Sequence, residues 1–180
     1  MFTTNTERLL AYWRERRGEA PAPRRVDIDV ADFAALAPQV FIAEMCAGGD
    51  VRVRLAGEAI TALYGRGLRG ESLLTLWAAE QRGRVARLLA SALSEAEPLV
   101  VLASGVAAAD GTQARFELLF APLFGPLGGL DRFLGLCQPE TGPVGMSQIG
   151  PLSIIAVNGV ADEARRARLR LAALDGRRIA

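Results

Sequence analysis

The chain has 180 residues, 51% of them hydrophobic, and a formal net charge of +1, which supplies a core for one domain with flanks and marks neither a polyanion nor an evident nucleic-acid binder. All 21 basic residues are Arg, with no Lys and no His, which excludes a lysine Schiff base, a P-loop lysine, a Ser-His-Asp triad, a His-ligated haem and a His-containing zinc site. The start, MFTTNTERLLAYW, has no uninterrupted apolar signal core, no apolar run reaches membrane-span length, and Cys46 and Cys137 lie far apart in apolar runs; the expectation is a cytoplasmic protein with reduced, buried structural thiols.

In chain order, Thr6 to Arg17 is predicted to be a helix with Leu9, Leu10 and Trp13 on one face, and GEAPAP from Gly18 to Pro23 stops it. Asp29 is placed to cap a short helix carrying Phe33 and Leu36, which Pro38 ends. Gln39 to Cys46 reads as a strand. Val51 to Leu55 alternates Val51, Val53 and Leu55 against Arg52 and Arg54, so the two strands form a hairpin with one wet face, to which Glu44 also belongs. Gly57 to Trp77 reads as short helical pieces broken by glycines, and Glu80 to Ala96 as an amphipathic helix with Val85, Leu88, Leu89 and Leu93 on one side. Three strands follow: Leu99 to Ala107, Thr112 to Leu123 and Phe133 to Cys137. In the second of these, Phe116, Leu118 and Phe120 oppose Arg115 and Glu117, which are assigned to a surface face. The order of elements is that of an α+β domain around an antiparallel sheet. After Pro139, TGPVGMSQIGPLS reads as a linker. A short apolar run and an Arg-rich helix candidate come next, with Arg165, Arg166, Arg168, Arg170, Arg177 and Arg178.

Gly65, Gly67 and Gly70 spell G-x-G-x-x-G, the spacing of a loop that cradles a dinucleotide pyrophosphate. That loop needs a strand before it, a helix after it and a second strand ending in an acid. Here the next strand, LVVLAS, ends in Ser104 and Gly105, and hairpins rather than βα units follow. The glycines therefore read as turn residues that supply positive φ or a missing Cβ. Asp27, Asp29 and Asp32 are expected to cap and pair locally, with no metal site.

RLAGEAITALYGRGLRGESLLTLW resembles the middle of a PAS domain: Gly67, Leu68 and Gly70, followed by Leu73 and Leu74, sit on that family's glycine–leucine turn. ARFELLFAPLFG and RFLGLCQP resemble its last two strands. The flank from Tyr12 to Glu44 resembles the N-terminal extension of a bacterial standalone PAS family, through Trp13, Pro23, Arg25, Asp27, Ile28 and Asp29; Val30 stands where that family often has proline. The resemblance covers roughly residues 8 to 139.

It implies a PAS-like five-stranded antiparallel sheet with helices on one face, plus an N-terminal helix and a C-terminal tail. The divisions would be an N-terminal helical extension over 1–38, a PAS-like domain over 39–139, and over 140–180 a linker and Arg-rich tail, solvated or partly disordered. It also implies a pocket between sheet and helices, for which Val40, Ile42, Phe116, Leu118, Phe120 and Leu134 are the candidates. An apolar core with no ligand and a small-molecule pocket both stay open. The cofactor is unknown. No segment matches the reactive-cysteine helix of the flavin photosensor branch. Leu9, Leu10 and Trp13 would be an exposed stripe unless they cover the outer face of the sheet or a partner subunit.

The functional expectation is a sensory or regulatory module without its own output domain, acting in signal transduction. It would work through protein–protein contact as a homodimer or on a signalling partner, tuned by a small apolar ligand. The alternative is a nucleic-acid- or membrane-surface-associated protein acting through the Arg-rich tail. The tail's lack of aromatics and its Asp162 and Glu163 disfavour nucleic acid. An enzyme is the weakest reading, because no nucleophile–base pair is evident.

Overall fold

The computed structural model describes residues 2–140 and 148–159. Six antiparallel strands form one sheet: β1 (Val40–Met45), β2 (Val51–Ala56), β3 (Leu99–Val106), β4 (Gln113–Phe124), β5 (Leu130–Pro139) and β6 (Ser153–Gly159), in the order β2-β1-β5-β4-β3-β6. The helices are α1 (Thr4–Arg17), α2 (Glu58–Tyr64) and α3 (Arg82–Glu95), with shorter 3-10 turns that include Val30–Gln39 and Leu73–Leu76.

Alternate residues of each strand point to opposite faces, and in this sheet both faces are covered. On the inner face, Phe41 and Ala43 of β1, Phe116, Leu118 and Phe120 of β4, and Phe133 and Cys137 of β5 join the apolar sides of α2 and α3 in one cluster. On the outer face, Val40 and Ile42, Leu119, Ala121 and Leu123, and Leu134 and Leu136 pack with Leu9, Leu10 and Trp13 of α1 and with Phe33 and Leu36. The central strands therefore read as continuous apolar runs rather than as alternations. The first hairpin keeps a wet side only on β2, where Arg52 and Arg54 are exposed while Val51 and Val53 are buried.

Helix α1 is set by its ends. The Thr3 hydroxyl accepts from the Thr6 N–H at 3.4 Å, Glu7 lies in the first turn and Arg14, Arg16 and Arg17 in the last, as the helix dipole favours. Gly18, at φ 53°, ends it. Trp13 is 1% exposed and its indole N–H donates to the Pro122 carbonyl at 2.7 Å, tying α1 to β4. Asp29 accepts from the Ala31 N–H at 2.9 Å and so caps the 3-10 turn, while Asp27 pairs with Arg24 and Asp32 with Arg16.

Three expectations about the strands differ from the structure. Leu55, grouped with Val51 and Val53 on one buried face, is 41% exposed, past the register shift between Ile42 and Ala43. Glu117 was assigned to a wet face, but it is 2% exposed, because its side of β4 is roofed by α1. The stretch read as a linker supplies an isolated bridge at Ile149 and then β6, which adds a sixth strand beside β3. The glycines and prolines around it hid a strand held by main-chain hydrogen bonds.

Candidate functional site

Between the inner sheet face and the helices lies a small, largely enclosed apolar cavity of about 20 Å³. The sheet supplies Phe41, Val53, Ala56, Leu118 and Cys137; α2 supplies Ile60 and Tyr64; the following segment supplies Leu68, Leu73, Leu76 and Trp77. The last wall is Leu152, which is 1% exposed. Ile60 and Tyr64 reach the cavity together because they are four apart on one helix. Trp77 is 1% exposed and closes the end of the 73–76 turn.

No carboxylate or guanidinium lines this space. The polar side-chain groups on this lining are the Tyr64 phenol, the Cys137 thiol and the Trp77 indole N–H. Burial pushes the Cys137 thiol up to about 12. Burial also raises the Tyr64 phenol, with the Cys137 sulfur adding in the same direction and Arg66 opposing. Burial thus disfavours the charged form of each group. A single water needs roughly 10–15 Å³ of such space, whereas sites for drug-sized ligands run to about 300–1,000 Å³. In this conformation the cavity has room for about one water-sized molecule.

Of the six residues nominated from sequence, only Leu118 lines the cavity. Phe116 and Phe120 lie on the same face within the core, where Phe120 makes edge-on contacts with Phe41 and Phe133 at 5.5 and 5.9 Å. Val40, Ile42 and Leu134 belong to the opposite face, under α1; Ile42 is registered against Leu134 in the β1–β5 ladder, so the two share that side. The nomination took the wrong parity for β1 and β5. Leu9, Leu10 and Trp13 are 0%, 2% and 1% exposed against the chain's own sheet, so they form no open stripe for a second subunit.

Of the three motif glycines, Gly65 (φ 65°) ends α2 and Gly70 (φ 85°) turns the chain, but Gly67 has no positive φ. A Cβ on Gly65 would lie 2.3 Å from the Gln148 amide nitrogen. The close approach allowed there is to the chain's own strand-forming segment. The sequence pointed to none of Tyr64, Trp77 and Leu152 as cavity residues. The four-residue spacing of Ile60 and Tyr64 was the available signal for Tyr64; Leu152 had none. The arginines from Arg165 to Arg178 lie outside the described residues. Among the described residues, no group of three or more Cys, Asp or Glu could hold a metal ion, and no helix is long and apolar enough to cross a membrane.

Comparison with known proteins gives the following. A family model for the PAS domain matches residues 1–138. No curated protein matches the chain. Among solved structures, the chain is similar to a light-oxygen-voltage domain studied with a flavin analogue, at 15% identity over 81% of this chain and 94% of that one, with a TM-score of 0.48. It is similar to a light-oxygen-voltage protein of Rhodobacter sphaeroides, at 18% identity over 66% and 71%, with a TM-score of 0.46. It is also similar to the PAS domain of a protein from Colwellia psychrerythraea, at 17% identity over 63% and 98%, with a TM-score of 0.44. The family match spans well over half the sequence and takes in α1, the turn after α2 and five of the six strands: this chain belongs to the PAS domain family.

Proposed function

We propose that this PAS chain is a sensory and regulatory module that acts through protein–protein contact and is tuned by a small, neutral, apolar molecule between the sheet and the helices. The observation that carries this reading is the character of the cavity. Its walls are apolar, it has no carboxylate or guanidinium, and burial shifts its two titratable groups, Cys137 and Tyr64, further toward their uncharged forms. An anion or cation entering it would lose its hydration with no partner of opposite charge. An apolar molecule would lose nothing comparable and would gain contacts.

The same lining supports a non-catalytic role, since it offers no acid–base pair. Binding would act by favouring one of two arrangements of the surrounding elements, and a protein partner would read the difference. The expected partner is a second copy of the chain or a signalling protein in the cytoplasm. Native mass spectrometry of the freshly purified full-length protein, before and after denaturation, tests this. The expected spectrum shows an added mass that leaves on denaturation, an assembled species, or both. An apo monomer with no added mass would overturn the reading.

A further inference from the structure

Five main-chain hydrogen bonds hold residues 148–152 against two different parts of the fold. The Ile149 N–H donates to Leu63 of α2 at 2.9 Å, the Leu152 N–H to Leu76 at 2.8 Å, and the Ala78 N–H to Leu152 at 2.9 Å. On the other side, the Gly150 N–H donates to Val106 at the end of β3 at 2.8 Å, and the Ala108 N–H to Gln148 at 2.7 Å. The segment thus bridges the helical wall of the cavity and the edge of the sheet. It then runs into β6, whose Ile154 N–H donates to the Gln81 side chain at 2.7 Å.

A glycine on β3 makes room for this segment. A Cβ on Gly105 would stand 2.7 Å from Ile149 and 3.2 Å from Leu152. Ile149 and Leu152 are 7% and 1% exposed, and Leu152 lines the cavity.

The sheet walls are held more firmly: β2, the other edge strand, is bonded on its free side to Glu71 and Gly70 through the Val53 N–H and carbonyl. β1, β5 and β4 are each paired on both sides, so displacing one breaks two ladders. β6 is paired on one side only. We propose that residues 148–159 are a strap that gates the cavity: it undocks as a unit while the five-stranded sheet stays folded, and its departure opens the route to the interior. Local openings of this kind cost less than global unfolding and fall where few apolar side chains are buried, and no side chain from Ser153 to Asn158 is fully buried. The use of the gate by a ligand rests on the reading of the cavity given above; the gating itself does not, and is measured without ligand.

Cys137 is the built-in reporter, because it lines the cavity and is 7% exposed. In the full-length chain carrying Cys46→Ser, it is the single thiol. Iodoacetamide alkylation at about pH 8 is followed by intact mass, and amide hydrogen exchange by peptide mass in parallel. Gly105→Val places a side chain under the strap at a strand position of ordinary φ, and Gln81→Ala removes only the acceptor for Ile154, so one variant covers a folding failure of the other. The expected result is that strap amides exchange before those of β4 and β5. Each variant then speeds strap exchange and Cys137 alkylation together, by about tenfold or more, with β4 and β5 protection unchanged. Faster strap exchange with unmoved Cys137 alkylation would overturn the gate. So would strap amides that exchange only in step with β4 and β5 in every chain. A mass spectrum lacking any ligand, by contrast, would count against the ligand reading and leave this result standing.

Discussion

The Glu117 carboxylate accepts the Thr3 hydroxyl at 2.6 Å and the Thr3 N–H at 3.1 Å, across 114 positions of sequence. Gln138 completes the joint: its amide nitrogen donates to the Thr3 and Thr6 hydroxyls, and its oxygen accepts from Asn5 at 3.0 Å. A charge buried under α1 is thereby satisfied by the N-terminal end of that helix, where the dipole favours an anion.

Replacing Glu117 with Ala removes the acceptor and leaves the Thr3 donors facing an apolar floor. The expected loss is about 1–3 kcal/mol of stability by urea unfolding, with faster amide exchange in α1 than in α3. A variant as stable as the parent would show that the joint does not form in solution.

Trp13→Ala deletes a buried ring and its bond to the Pro122 carbonyl, and is expected to cost about 3–5 kcal/mol. Trp13→Phe, which keeps most of the area, is expected to cost about 1–3 kcal/mol for the stranded carbonyl and the lost volume. The loss should not depend on protein concentration, because the ring packs on its own chain. A loss that changes with protein concentration would instead place α1 on a partner subunit.

The motif glycines separate by substitution. Gly70 sits at φ 85°, so Gly70→Ala is expected to destabilise by about 1 kcal/mol or more. Gly67 has no positive φ and open space where a Cβ would stand, so Gly67→Ala is expected to be neutral or to stabilise by about 0.4–1 kcal/mol. Thermal unfolding of the two variants checks this, and equal losses would contradict the turn assignment.

Alkaline stability follows from Cys137. Burial pushes its thiol up from an ordinary value of 9.0 to about 12 in the folded chain. The unfolded chain therefore releases that proton first. The stabilisation is intact below about pH 9 and is lost as pH rises toward 12, with a slope of at most about 1.4 kcal/mol per pH unit from this group. Tyr64 shifts in the same direction and adds to the loss above its ordinary value of 10.0. Urea unfolding between about pH 8 and 10.5 should show a shallower decline in Cys137→Ala than in the parent. Identical slopes would mean that the thiol is not buried.

Much of the fold was legible because the polar positions marked it. Arg52 and Arg54 fixed the face of β2, Asp29 marked the start of a 3-10 turn, and Leu89 and Leu93 fixed the buried side of α3. The site was less legible for a physical reason. VFIA in β1 and FLGLC in β5 are buried on both faces, so no polar alternation says which side meets the helices. That is how Val40, Ile42 and Leu134 were assigned to the pocket while Phe41 was passed over. Glu117 was misassigned for the opposite reason: its polarity suggested water, and its partner is a helix N-terminus 114 positions away. β6 is held by register with β3 rather than by composition.

The measurement that tests the central claim most directly is methyl-resolved NMR of the full-length protein under xenon, an apolar probe that enters dry cavities. The account predicts saturable shifts at the methyls of Ile60, Leu118 and Leu152, which line the cavity, with Leu9 and Leu134 on the opposite face unmoved. Shifts confined to the outer face, or none at all, would contradict an apolar ligand site between the sheet and the helices.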